Sequence, residues 1–456
     1  MNFSRKILVF VIVGFFIGTS ILPRIQNNAL NSFSACSKEI IDSNQEDNFD
    51  FLIISPYEFN NSLNPLIEHK NNHGINTRIV NLEDINMNDS RDKQEEIKYF
   101  IKESIEKHNV SYVLLIGDRE KFPVRYSYTG MVDGIEPFIS DLYYADIYDE
   151  NGDFCNWDAN NNNKFGEVNK SEMIDKMDLY PDVYLGRLLC SNISELNTIV
   201  NKIINYEENT YGKEWFNNII LCGGDTYPGM LLTLLNHSGY EGEIVCDEVK
   251  QIMNDFTPTS LYASAMLPSF LRTNSNDTTF LTYEKINNAI NKGAGFVLFS
   301  GHGTPEGWMT NAPLFRNLLF LLTCYQSYLI NELNNEDKLP IVVFDACSCG
   351  DFSENTGVSS PIAWDFVKKQ DGGAIACIAS TTISWGTVGK HAKDFTCGYF
   401  TTKLFESTTT GYLGKMVYQA QNQYMNSFPL YNHQDCLTIE AFTLFGDPSL
   451  RIGGYS

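Results

Sequence analysis

The chain has 456 residues, 43% apolar and 20% charged, an ordinary globular balance with enough length for a large core or two to three units of domain size. Its net charge of −23 argues against a nucleic-acid partner, whose phosphates would be repelled. Eleven cysteines fit an exported protein with some disulfides, and the odd count leaves at least one thiol free if the others pair.

Arg5-Lys6 precedes an apolar run from Ile7 to Leu22, which Arg24 closes. That run is short for a membrane-spanning helix and comfortable for the core of an export signal. Residues 1–28 therefore read as a signal peptide or an N-terminal membrane anchor, and residues 29–48, Asn- and Ser-rich, as a linker. Either reading puts the body of the protein outside the cell or on the outer face of its membrane.

Residues 49–210 form a first α/β series. Phe51 to Ser55, Asn76 to Val80 and Tyr112 to Gly117 are strand-like, with helical patterns at Asn64 to Asn72 and Asp92 to His108 between them. This alternation predicts a mostly parallel sheet covered by helices. An irregular region follows, centred on Asp158, Asn160, Asn162 and Glu167. Oxygen side chains at alternate positions before a carboxylate resemble a hard-cation loop, although two of the usual acids are Asn and the spacing is shorter than in an EF-hand. An Asn-rich surface loop is the competing reading. Pro181 to Arg187 is another strand, and Ser194 is a plausible N-cap for a helix from Glu195 to Tyr206.

Residues 211–456 form a second series, with strands at Asn218 to Cys222, Gly295 to Ser300, Ile341 to Phe344 and Gly373 to Ile378. Helical patterns near His391 to Phe405 and Leu413 to Asn426 follow. Two of these strands end in polar turns, Gly301-His302-Gly303 and Asp345-Ala346-Cys347-Ser348-Cys349-Gly350. Ligands of open α/β sheets bind at the carboxyl ends of strands. A thiol and an imidazole delivered there by two strands make a nucleophile and base pair. Gly303 and Gly350 put unobstructed backbone donors beside them for an oxyanion. Gly301-x-Gly303-x-x-x-Gly307 misses the dinucleotide spacing, and Cys347-x-Cys349 with His302 is an atypical zinc pattern. No G-x-S-x-G elbow occurs.

At these residues the chain resembles the gingipain-type cysteine peptidases of the caspase-like group. The resemblance rests on Gly301-His302-Gly303 with Trp308, on Asp345-Ala346-Cys347-x-x-Gly350-Asp351-Phe352 and on Phe445-Gly446-Asp447-Pro448-Ser449-Leu450. Pro181 to Arg187 and Ala379 to Trp385 add to it. It implies a caspase-like three-layer α/β/α sandwich with two sheet-bearing subdomains, mostly parallel strands and the active site in the second subdomain. It also implies an endopeptidase acting on protein or peptide substrates, without a catalytic cofactor. Cys347 would be the nucleophile, His302 the base and acid, and the Gly303 and Cys347 amides the oxyanion hole. Asp182, where the family pattern has Glu, would orient the histidine, and Trp385 would line the primary specificity pocket. Bound calcium is usual in such enzymes, which points to Asp158, Asn160, Asn162 and Glu167. The same dyad would serve a transpeptidase, and a catalytically idle surface module that binds peptide or calcium is the reading from another class. The resemblance includes neither a following immunoglobulin-like domain nor a long pro-segment between Leu22 and Asn48, so regulation is expected to differ.

Overall fold

Every residue of β1 (Phe51–Ser55) and β3 (Tyr112–Ile116) is buried, as a continuous apolar run requires of a strand covered on both faces. The computed structural model describes residues 48–87, 90–170, 172–224, 226, 240–266, 278–311, 325–428 and 432–456. The signal or anchor segment lies outside them. Among the described residues no helix is long and apolar enough to cross a membrane.

One sheet of eleven strands runs through the protein. With β2 (Thr77–Asn81), β4 (Tyr184–Leu188), β5 (Asn218–Gly223), β6 (Thr257–Tyr262), β7 (Thr279–Phe280) and β8 (Phe296–Ser300), and with β12 (Ile341–Asp345), β13 (Ala376–Ser380) and β14 (Phe442–Phe445), its order is β7-β6-β5-β8-β12-β13-β14-β4-β3-β1-β2. The six strands from β7 to β13 are mutually parallel, and so are the five from β14 to β2. The two sets meet antiparallel at β13 and β14. The carboxyl edge of the second half of the sheet is therefore the amino edge of the first. A small antiparallel sheet, β9 (His302–Thr304), β10 (Gly307–Met309) and β11 (Tyr325–Gln326), stands beyond β8.

Helices α1 (Asn60–Asn72), α3 (Ile193–Asn209) and α6 (Ile362–Lys368) pack together in one layer. In another, α4 (Glu241–Ile252), α8 (Leu413–Ser427) and α9 (His433–Ala441) pack on α7 (Thr396–Glu406). With α2 (Lys93–His108) and α5 (Tyr283–Lys292) they complete the α/β sandwich.

Three features differ from the sequence reading. The last strand, β14, crosses the boundary near residue 210 and joins the first parallel set, so the two halves share one sheet. The cap of α3 is Asn192 rather than Ser194: its side chain accepts from the Glu195 N–H at 3.0 Å, and Glu195 accepts from the Ser191 N–H at 3.0 Å. The expected disulfides are absent among the described residues, where all nine cysteines are free. Eight of the nine are buried and act as small apolar filling, so their parity carried no information.

Candidate active site

Strands β8 and β12 are neighbours in register, Ser300 opposite Asp345. Each turns at its carboxyl end, so His302 and Cys347 leave the sheet from adjacent strands. The turns touch. A Cβ on Gly303 would collide with the Cys347 carbonyl oxygen and stand 2.5 Å from Cys349 Sγ, so only glycine allows this approach.

The Cys347 turn is also tied to β13. Ser348, in the left-handed region at φ 52°, donates its N–H to Thr382 O at 2.7 Å, and Gly350 N–H donates to Ser380 O at 2.8 Å. The Gly350 amide is thus engaged and does not serve the oxyanion role its position suggested. The thiol lies against Ser384: Sγ donates to the Ser384 carbonyl and accepts from its N–H, both at 3.3 Å. Burial pushes the Cys347 thiol above its ordinary value of 9.0, the Ser384 N–H partly opposing it, so the resting group is a thiol.

His302 Nε2 donates to the Thr226 carbonyl at 2.6 Å. Burial lowers the imidazole below its ordinary 6.5, opposed by that carbonyl and by the Glu241 carboxylate. Burial thus favours the neutral imidazole, the form that could accept a proton from a thiol. Glu241, buried in the first turn of α4, accepts from the Thr226 N–H at 3.2 Å and from the Gly389 N–H at 2.8 Å. Glu241, Thr226 and Ser384 were missed in the sequence because only the fold places them beside the dyad. The acid in the first turn of α4 was the one signal available.

Asp182 is a correction. Its carboxylate accepts from the Ile147 and Tyr148 N–H groups, at 2.7 and 3.0 Å, and so fastens a loop. It lies at the amino end of β4, four strand spacings from β8, or about 19 Å across the sheet. The antiparallel junction brings Asp182 to the correct edge but far from the histidine. Trp385 directly follows Ser384, the residue against the thiol. It packs on Ile135, Phe138, Leu437 and Ala441, with its ring edge-on to His433 at 6.4 Å.

The Asp158 loop draws its four expected residues together through protons. Asn160 Nδ2 and Asn162 Nδ2 donate to Glu167 Oε2 at 3.1 and 2.6 Å, and Asn162 N–H donates to Asp158 Oδ1 at 2.9 Å. Asp158 Oδ2 accepts from Arg91 at 2.5 Å. Among the described residues no cluster of three or more His, Cys, Asp or Glu could hold a metal ion.

A thiol and an imidazole at the carboxyl edge of an α/β sandwich are the groups a cysteine peptidase would use. The model of peptidase family C25 matches residues 44–453, and the chain belongs to that family. It is 22% identical over 434 residues to gingipain R2 of Porphyromonas gingivalis, covering 90% of this chain and 46% of that protein. It is 22% identical to gingipain R1 of the same organism, covering 90% of this chain and 34% of that one. The chain thus spans less than half the length of these relatives. The crystal structure of the Arg-specific cysteine proteinase gingipain R shares the fold at a TM-score of 0.64 and 19% identity, covering 90% of this chain and 79% of that one.

Proposed function

We propose that the protein is an exported or surface cysteine endopeptidase. Cys347 Sγ, its proton taken by His302, attacks the peptide carbonyl and forms the carbon–sulfur bond. The Gly303 and Cys347 amides hold the oxyanion. The imidazolium returns its proton to the leaving amine as the carbon–nitrogen bond breaks, and water then releases the acid from the thioester. The observation that carries this reading is the contact of the two turns at Gly303, which sets the thiol and imidazole segments side by side. Kinship with gingipains supports an extracellular setting.

A basic P1 residue fits the surroundings. Glu241 carries a buried carboxylate beside His302 and the Gly389 segment, and one structural relative is an Arg-specific cysteine proteinase. The test is cleavage of peptides varied at P1, with an amine nucleophile added. Release of free carboxyl products after Lys or Arg supports the proposal. Amine-ligated products would assign a transpeptidase instead, and activity retained in Cys347→Ala would reject the nucleophile.

The Asp158 loop supports a structural calcium site. Asp158, Asn160, Asn162 and Glu167 already converge, and a cation there would compete for the carboxamide oxygens of Asn160 and Asn162, which now accept from the Asn162 and Lys164 N–H groups at 2.9 and 2.8 Å. The ion would stiffen the loop, and the Arg91 contact to Asp158 is the feature it must accommodate. Calcium at saturation should raise Tm by a few degrees, an effect lost in Asp158→Asn. An unchanged Tm would remove the assignment.

A further inference from the structure

The strands that carry the dyad are joined before either turn begins. Ser300 and Asp345 are register partners on β8 and β12, each two residues ahead of His302 and Cys347 respectively. Ser300 Oγ donates to Asp345 Oδ2 at 2.6 Å, and both side chains are buried. Gly301 N–H donates to the Asp345 carbonyl oxygen at 3.1 Å.

Neither side chain is needed to form the sheet, whose backbone ladder is complete without them. A buried carboxyl is unfavourable unless hydrogen-bonded, and two apolar residues would fill the space with less desolvation. The polar pair sits at the last register position before the two turns diverge, where a lateral shift of one strand would move His302 relative to Cys347 most directly.

We propose that Ser300 and Asp345 are positioning residues, a clamp that holds the His302 and Cys347 turns at the spacing needed for proton transfer from thiol to imidazole. This rests on the nucleophile and base assigned above. The surroundings agree with a strut rather than a charge. Cys397 and Thr401 of α7 and Ser300 face the carboxyl, and burial raises its pKa toward the neutral form. An ionised Asp345 would oppose the thiolate, since its charge raises the Cys347 pKa.

The test compares full-length wild type with Ser300→Ala, Asp345→Leu, Asp345→Asn and Cys347→Ala. The readouts are kcat and KM on a fluorogenic peptide, the rate of Cys347 alkylation by iodoacetamide, and Tm. Ser300→Ala and Asp345→Leu should lower kcat about 10- to 100-fold and slow alkylation in parallel, with KM within about 3-fold. Asp345→Asn keeps the acceptor for Ser300 and should recover kcat to within about 3-fold of wild type. Wild-type kcat and alkylation in Ser300→Ala, which leaves the fold least disturbed, would overturn the clamp. So would Asp345→Asn as impaired as Asp345→Leu. An active Cys347→Ala would instead overturn the nucleophile assignment, which separates the two failures.

Discussion

In the first half of the sheet, Arg187 lies fully buried on β4 and donates to both Asp141 oxygens, at 2.6 and 2.7 Å. Nearby, Lys70 is buried between Glu207 and Asp447, at 2.8 and 2.7 Å. In the second half, the groups at the strand ends are a thiol and an imidazole that burial drives toward their neutral forms. The contrast separates architecture from chemistry. Paired full charges fix one half, since a buried charge without its partner is prohibitive. The other half holds Cys347 and His302, the proposed reactive pair, toward their uncharged forms.

The largest effect expected is on catalysis. His302→Ala should lower kcat/KM by about 10²- to 10⁴-fold while leaving Tm nearly unchanged. In the wild type, the acid limb of kcat/KM should fall below 6.5, because burial depresses the imidazole. A limb above 6.5 would contradict the depressed imidazole and break the contrast.

Arg187→Ala should act in the opposite sense. By stranding Asp141 it should cost about 3–5 kcal/mol in urea unfolding, with kcat of the folded fraction little altered. A smaller loss would mean that water reaches the pair.

Glu440, on α9, tests the same idea with an unpaired acid. It accepts from Ser127 and from Thr129 at 2.8 Å, and burial raises its pKa from 4.5 to about 8. The folded state then holds a proton that the unfolded chain releases. The resulting stability is complete below 4.5 and lost as pH rises through about 8. Unfolding free energy should fall by roughly a few kcal/mol between these limits, and Glu440→Gln should flatten the slope. An equally steep slope in that variant would reject the assignment.

The smallest effect is expected at Asp182. Asp182→Asn should cost about 1 kcal/mol of stability and change kcat less than about 3-fold. A loss of two orders of magnitude would restore the histidine-orienting role that its sequence position implied.

Much of this was legible in the sequence. The strand runs at 51–55, 112–116, 296–300 and 341–345 read clearly because strands buried on both faces are almost wholly apolar. The positions of Cys347 and His302 followed from the Gly-flanked turns after two such runs. Less legible was β14, four residues that fold back into the first half and set the antiparallel junction. Asp182 was drawn from the family resemblance alone, and only the strand order shows it four strands from the histidine. Glu241 and Thr226 were hidden for the same reason: their proximity to His302 comes from the order β5-β8 and from the placement of α4 over it, neither of which leaves a local pattern. The Ser300–Asp345 pair was visible as two residues but not as a contact, because register belongs to the sheet rather than to either strand.

The most direct test of the central claim is intact mass and peptide mapping after the full chain is treated with a peptidyl electrophile bearing a basic P1 side chain. A stoichiometric adduct on Cys347, lost or strongly slowed in His302→Ala, is the predicted result. No adduct on a reduced, folded Cys347, or an adduct formed equally fast without His302, would contradict it.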